Sequence, residues 1–344
     1  MKKMVMGMVA GFILSGTLLA DSGINKVKEF ELEHATKLYN EAKKLKEIAD
    51  DYYEDIKAFH FNYDKAWKKN RKDLTKDIEQ MKRAWLEASS NYEIIEGLVA
   101  GMPQTAKYDL ILDAGIPASE GNEDVAPFDL KCPYKCKFNT KRPGNFFHYL
   151  LEPTLWGTHE AYVAKKVDLN GDGQITKGEA LPNAKWLKCV ADNFAKYTKE
   201  LKDKVKDLKM NLTDVFTAEL TMIPTMGDYF EDWKNSRILG KSEAFVALSR
   251  IFDIKGISGG LKVAYEAAIH PKLKKVDPKL DSQIRLAFYD LVSFVDDIYM
   301  KEQSGHIFKP EDADAYASQA QDMADRLSAL MAKAAKKLHI KPNV

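Results

Sequence analysis

Apolar residues recur at helical spacing along nearly the whole chain, and no stretch of useful length alternates as a half-buried strand does. The run VKEFELEHATKLYNEAKKLKEIADDYYEDI predicts a long helix over 24–58. A polar, aromatic break at 60–64 separates it from a second, predicted over 73–99, so two antiparallel helices on a short link are expected. The rhythm returns over 146–166, 183–208, 213–238, 243–252, 260–268, 280–300 and 310–338. The expected class is therefore all-α, with two packed four-helix-bundle-like halves over 21–180 and 181–344. Between 101 and 144 the periodicity gives way to recurring Pro, Gly, Asp and Asn. That segment reads as a long ordered loop, and such loops are usually functional or cover something.

The first residues set the expected compartment. Lys2 and Lys3 precede an apolar run over 4–14, and small residues lead to Ala20, which is the order of a secretory signal peptide over 1–20. The run is too short and too broken for a membrane anchor, and no Cys stands at the cleavage point. A periplasmic or secreted protein without stable membrane insertion is expected. Loss of Lys2 and Lys3 moves the formal charge from +1 to −1, and the charges are mixed along the chain. That argues against nucleic acid as a partner. Of the three cysteines, Cys132 and Cys136 in CPYKC are spaced either for a clip across a small loop or for two free thiols. Cys189 reads as a small buried apolar residue.

One segment matches a calcium-binding template at each diagnostic position. Asp168, Asn170 and Asp172 place side-chain oxygens at positions 1, 3 and 5 of an EF-hand loop over 168–179. Gly173 supplies the turn, Gln174 a backbone carbonyl, Thr176 a direct or water-mediated contact and Glu179 a bidentate carboxylate. A helix is expected on each side, the second opened by Pro182. With no second such loop in the chain, calcium is expected to act as a structural clamp, since sensor loops work by opening a helix pair.

A second set of polar groups sits beside helix breaks. It comprises Tyr92, Glu93 and Glu96, then Tyr108, Asp109 and Asp113, then Asp228, Tyr229, Glu231 and Asp232, with Arg237 further on. In PGNFFHYLLEPTLWGTHEAYV, His148 and Glu152 lie four apart and share a helix face, while Pro153 disturbs the ladder there. Carboxylates, phenols and an imidazole together suit a hard or borderline cation such as ferric iron. The expected ligands are His148, Glu152, Glu96, Asp228 and Tyr229, with Arg237 holding a companion anion such as carbonate. Thr225 and Asp228 also have the spacing of a capping box.

The run from Ala84 to Gly157, AWLEASSNYEIIEG to HYLLEPTLWG, resembles the imelysin-like and EfeO-like periplasmic family of bacterial iron-uptake proteins. Glu152, Leu155, Trp156 and Gly157 match the end of that family's G-x-H-x-x-E motif and the Leu-Trp-Gly after it. His148 lies four residues before Glu152 where the family has three, and Phe147 falls where the family has Gly. The phrases YDLILDAGIPASEG, IPTMGDYFEDWKNSR and FVALSRIFDIKGISGGL are similar to the phytotransferrin-like iron-assimilating proteins of algae. These resemblances imply capture of Fe(III) for uptake, with hand-off to a membrane iron permease or another delivery partner. Two other functions are open to such a chain: a calcium-dependent scaffold or adhesion module without a second metal, and an imelysin-type metallopeptidase. The chain has no H-E-x-x-H, since Val163 stands where the second His would be, and no G-x-S-x-G. No enzyme activity is expected.

Overall fold

The computed structural model describes residues 22–134 and 137–344, so the signal-peptide reading of 1–20 and the side chain of Cys136 lie outside it. The first helix, α1 (Ser22–Ala58), buries Val27, Glu31, Ala35, Leu38, Ala42, Leu45, Ala49, Tyr52 and Ile56. That stripe at steps of three and four gives the helix one face to pack. Helix α2 (Tyr63–Gly101) is capped by the Asn62 side chain and begins ten residues before the predicted start. Its backbone breaks at Asn70, which is why the periodic signal begins only beyond that point. A helix also interrupts the segment read as loop: α3 (Ala106–Leu112). The rest of that segment's described residues, to Asn145, are irregular, tied down by isolated bridges such as Pro117 with Pro143.

The predicted helix over 146–166 is replaced by several pieces. Phe146–Leu151 forms a π-helical turn, α4 (Glu152–Leu155) follows with Pro153 in its first turn, and Val163–Lys166 is strand β1. Strand β2 (Ala180–Pro182) pairs with β1 antiparallel. The calcium-type loop over 168–179 therefore joins two strands, not two helices. The reason is local: Gly157 adopts φ +61 and ends the helix, after which the chain runs extended back along itself.

Helix α5 (Ala184–Asp207) lies on α1, and α6 (Leu212–Met222) on α2. The predicted helix over 213–238 is split at Pro224, giving α7 (Met226–Trp233) and a π-helical turn, Lys234–Ile238. Residues 239–249 are irregular, so the predicted helix over 243–252 does not form there. Instead α8 (Arg250–Ala264) starts at Arg250. The π-helical turn Tyr265–Ile269 leads into α9 (His270–Val276), and α10 (Pro278–Gln303) and α11 (Pro310–Lys337) pair at the C-terminal end.

The described residues form two hydrophobic clusters. One joins α1, α2, the π turn at 146–151 and α5; the other joins the ends of α1 and α2 to the elements from Leu208 onward. The division thus falls after α5, beyond the expected boundary at 180/181. Cys132 is bonded to Cys189, which ties the irregular segment to α5. This corrects both cysteine readings: Cys132 is not paired with Cys136, and Cys189 is buried as half of a disulfide. Among the described residues no helix is long and apolar enough to cross a membrane.

Candidate metal centre

Where the two clusters meet, acidic side chains from three helices converge. Glu93 and Glu96 lie one turn apart on α2, and both are buried. Asp109 and Asp113 lie one turn apart at the end of α3, and Asp253 comes from the first turn of α8. Glycine makes the approach of α8 feasible. A Cβ on Gly256 would stand 2.8 Å from the Glu93 Cβ, and one on Gly260 would stand 2.0 Å from the Ile94 carbonyl oxygen. One ligand oxygen each from Glu96, Asp109 and Asp113 lie within 4.8 Å of one another, in the protein interior.

Two buried cations face these acids. His148 Nε2 is 2.8 Å from Asp113 Oδ1, and its Nδ1 is 3.1 Å from Glu152 Oε2. Burial by itself would lower the His148 pKa, but Asp113 and Glu152 outweigh it and hold the imidazolium to about 9. Arg250 Nη1 donates to Asp253 at 3.0 Å and to Asp113 at 3.4 Å. Its guanidinium lies between the rings of Phe245 and Tyr229, at 4.4 and 4.7 Å. Burial raises Asp113, yet His148 and Arg250 more than offset that and leave it at about 2. The other acids have too little positive charge near them. Burial, with Asp113 close by, lifts Glu96 to about 7. Burial and neighbouring carboxylates push Glu93 and Asp109 well above the carboxylate range.

Phenols complete the set. Tyr229 donates to Glu96 Oε1 at 2.6 Å and Tyr92 to Asp109 Oδ1 at 2.7 Å. Glu96 Oε2 and Glu93 Oε2 are buried without a hydrogen-bond partner. A buried carboxylate oxygen without a partner is costly unless protonated or bound to a cation. The donor set therefore fits a hard or borderline metal ion, with carboxylates from Glu96, Asp109 and Asp113 and an imidazole from His148. Were such an ion held here, His148 Nε2 and Asp113 would offer it the lone pairs that now share a proton. Glu152 keeps Nδ1–H and so fixes the ring orientation.

Of the five expected ligands, His148, Glu96 and Tyr229 stand at this centre. Glu152 is there too, but its four lone-pair positions are filled, by His148 Nδ1 and by the backbone N–H groups of Phe245, Val246 and Ala247 at 2.9, 2.7 and 2.8 Å. Asp228 is not at the centre. It neighbours Tyr229 on α7, and turning Tyr229 inward leaves Asp228 exposed. The box it was to form with Thr225 is also absent, because the Thr225 hydroxyl donates back to the Met222 carbonyl. Arg237 is exposed, donates to the Val246 carbonyl at 3.3 Å and lies 3.8 Å from Glu302. The arginine at the centre is Arg250. Asp113, Asp109 and Tyr92 belonged to the polar set but not to the expected ligands, while Arg250 and Asp253 were passed over. Their sequence signal is an Arg-x-x-Asp pair opening a helix, with the Arg at the N-terminus, where the dipole disfavours it.

The π turn accounts for the irregular spacing of His148 and Glu152. Its i→i+5 hydrogen bond, from Glu152 N–H to the Phe147 carbonyl, absorbs one additional residue. Four residues then span the distance that three span in a regular turn, and His148 still meets Glu152. Asn145 caps the turn by accepting from His148 N–H at 2.8 Å.

A cavity of about 730 Å³ opens onto this centre, lined by Asp113, His148, Tyr149, Lys241, Phe245 and Arg250 among others. Glu96 and Asp109 do not line it.

The six residues read as calcium ligands lie together in the loop between β1 and β2. Asp168 accepts from Gly171 and Gly173 N–H, Asn170 from Asp172 N–H, and Asp172 from Gln174 N–H. Glu179 folds back across the loop. Its oxygens accept from the Thr176 backbone and hydroxyl and from Asn170 and Leu169 N–H, which hold its carboxyl down at about 2. Gly173 has φ +86, a conformation that requires glycine at the turn. Arg71 and Lys82 of α2 donate to the Asp168 and Gly178 carbonyls at 2.7 and 2.5 Å, which fastens the loop to the long helix.

Residues 147–334 match the sequence model of the family described as Imelysin, peptidase M75. No curated protein matches the chain. The matched span takes in His148, Glu152 and Tyr229 through Asp253, and it covers more than half of the 344 residues. The chain belongs to the imelysin family.

Proposed function

We propose that this protein captures ferric iron as cargo at the carboxylate–imidazole centre and holds calcium in the loop over 168–179. In this reading it works as an exported, non-enzymatic binding protein that delivers iron for uptake. The observation that carries the reading is the excess of buried acid. Six carboxyls (Glu93, Glu96, Asp109, Asp113, Glu152 and Asp253) face two cations, and two of their oxygens have no partner. A trivalent or divalent ion supplies the missing positive charge; protons supply it when no metal is bound. The likeness of the 84–265 stretch to iron-capture proteins supports iron as the cargo. Tyr229 and Tyr92, each on a carboxylate able to take its proton, are the phenols that would give a ferric complex its colour. For a peptidase, the metal needs an open position and a water within reach of a general base. Here the acids lie behind Phe245 and Arg250, an arrangement better suited to holding an ion than to turning over a peptide.

The test is a titration of the calcium-loaded mature protein with ferric citrate in bicarbonate. Metal content and tryptophan emission are followed, since the Trp85 ring lies 6.3 Å from His148. One iron per chain with quenched emission is expected, and Asp113→Asn should weaken binding by about 100-fold or more. A visible band lost in Tyr229→Phe assigns the phenol as a ligand. No uptake of iron by the wild type would overturn the reading.

A further inference from the structure

The chain between the π turn Lys234–Ile238 and α8 crosses from the second cluster onto the first and covers the metal centre. Residues 239–248 are half-buried or exposed, and their backbone is held largely by side chains. Four consecutive backbone N–H groups have side-chain partners: Ala244 donates to Ser242 Oγ, and Phe245, Val246 and Ala247 all donate to the single carboxylate of Glu152. The Glu243 carbonyl accepts from Thr158 Oγ1 at 2.7 Å, the Glu243 carboxylate meets His159 at 2.8 Å, and the Val246 carbonyl accepts from Arg237. Opening this segment breaks side-chain contacts and no helix or sheet ladder, so it can move as a unit.

Phe245 is the part of the segment that closes the centre. Its ring lies 4.1 Å from the His148 ring and 4.4 Å from the Arg250 guanidinium, on the wall between the cavity and the deeper carboxylates. Its φ is +57, a left-handed conformation that a phenylalanine keeps only where its surroundings enforce it. The three N–H groups gripped by Glu152 are that enforcement.

We propose that residues 241–247 form a gate over the metal centre, and that Glu152 is the positioning residue that latches it. This rests on the centre being a metal site, and it assigns Glu152 a role other than ligand. The carboxylate fixes the His148 ring through Nδ1 and holds Phe245 across the entrance through three backbone amides. The cavity reaches Asp113, His148 and Arg250 as the segment stands, while Glu96 and Asp109 do not line it. With the latch intact, an ion held at those deeper acids is shut off from the cavity; with the segment released, the cavity extends to them. Glu152 thus governs the rates of entry and exit, while the ligands set the affinity.

The experiment compares the wild type with Glu152→Gln, Phe245→Gly and the ligand variant Asp113→Asn. Each is loaded from ferric citrate and chased with excess hydroxamate chelator, and backbone amide exchange is measured in parallel. Glu152→Gln and Phe245→Gly should release iron at least about tenfold faster, and Phe245→Gly should load correspondingly faster. For Phe245→Gly the equilibrium affinity should shift by less than about threefold, with an unchanged iron spectrum, whereas Glu152→Gln, which also frees the His148 ring, should lower affinity about tenfold at unchanged stoichiometry. Asp113→Asn should lose binding itself. Amides 245–247 should exchange about 100-fold faster in Glu152→Gln, a result that needs no iron and stands even if the wild type binds none. The gate is overturned if Glu152→Gln alters the iron spectrum or stoichiometry, which would make Glu152 a ligand. It is equally overturned if amides 245–247 keep their protection, or if wild type that binds iron releases it no more slowly than both gate variants.

Discussion

Glu31 shows at a single residue what the interior does to an acid. It lies on the buried stripe of α1, neither oxygen has a hydrogen-bond partner, and burial, only partly offset by Lys28, lifts its pKa from 4.5 to about 8. A raised carboxyl contributes stability that is complete below its unfolded value and lost as pH rises through the folded one. The metal-free protein should therefore lose stability between about pH 4.5 and 8 on this account. Glu31→Gln should be more stable than wild type by about 3 kcal/mol at pH 7 and nearly equal to it at pH 4, in urea unfolding at the two pH values. Equal pH dependence of the two proteins would refute it. His148 and Asp113 bound a second window. His148 is raised from 6.5 to about 9, so its contribution is whole below 6.5 and fades as pH climbs through 9. Asp113 is lowered from 3.8 to about 2, so its contribution is whole above 3.8 and fades as pH falls through 2. Thermal melts of His148→Gln should accordingly lack the part of the wild-type decline seen between about pH 6.5 and 9, and a decline of the same size would contradict the charge assigned to the ring.

Two elements invite tests of their own. The loop over 168–179 is the calcium reading, and its flanks are strands fastened to α2 by Arg71 and Lys82. Ligand binding to the folded state alone stabilises by mass action, about 2.7 kcal/mol at 100 times Kd. Calcium should thus raise the melting temperature of the wild type by several degrees, and Glu179→Gln should abolish that rise. A calcium-independent wild-type melt would remove the ion from this loop. The second element is the irregular stretch before the π turn, bound to α5 by Cys132–Cys189 across 57 residues of sequence. Replacing both cysteines by alanine should cost about 2–4 kcal/mol, measured by denaturant unfolding without reductant. A loss below 1 kcal/mol would mean that the segment is held by its packing on Phe146 and Trp186.

For the whole molecule, the decisive feature is that α1 and α2 contribute to both hydrophobic clusters. The two halves are thereby linked through continuous helices and should unfold together. The buried acidic cluster proposed to bind iron sits where α8 crosses α2, at a distance set by Gly256 and Gly260. Gly260→Ala would drive a methyl into the Ile94 carbonyl. It should destabilise the protein by about 1–3 kcal/mol and, by moving Arg250 and Asp253, weaken metal binding as well. Unchanged stability would show that the two helices can separate without penalty.

The all-α class, most helix spans and the loop over 168–179 were legible in the sequence, because helical periodicity and metal-loop spacing are local properties. His148, Glu96 and Tyr229 stood out in the sequence because each sits where a helix pattern breaks or turns acidic, and the fold brings them to one buried cluster. Other features depended on parts of the chain distant from one another. Asp228 and Arg237 have the right chemistry, but the rotation of α7 and the path of the following segment turn them outward. Arg250, Asp113 and the latch on Glu152 act through contacts across 93 to 137 residues of sequence. The partner of Cys132 likewise came from α5, not from its near neighbour. Local spacing determined which elements form and which residues are able to bind a cation. Only the packing of α8 on α2 and the fold of 241–247 over His148 decided which of them share one buried space, because burial and charge balance belong to the assembled interior.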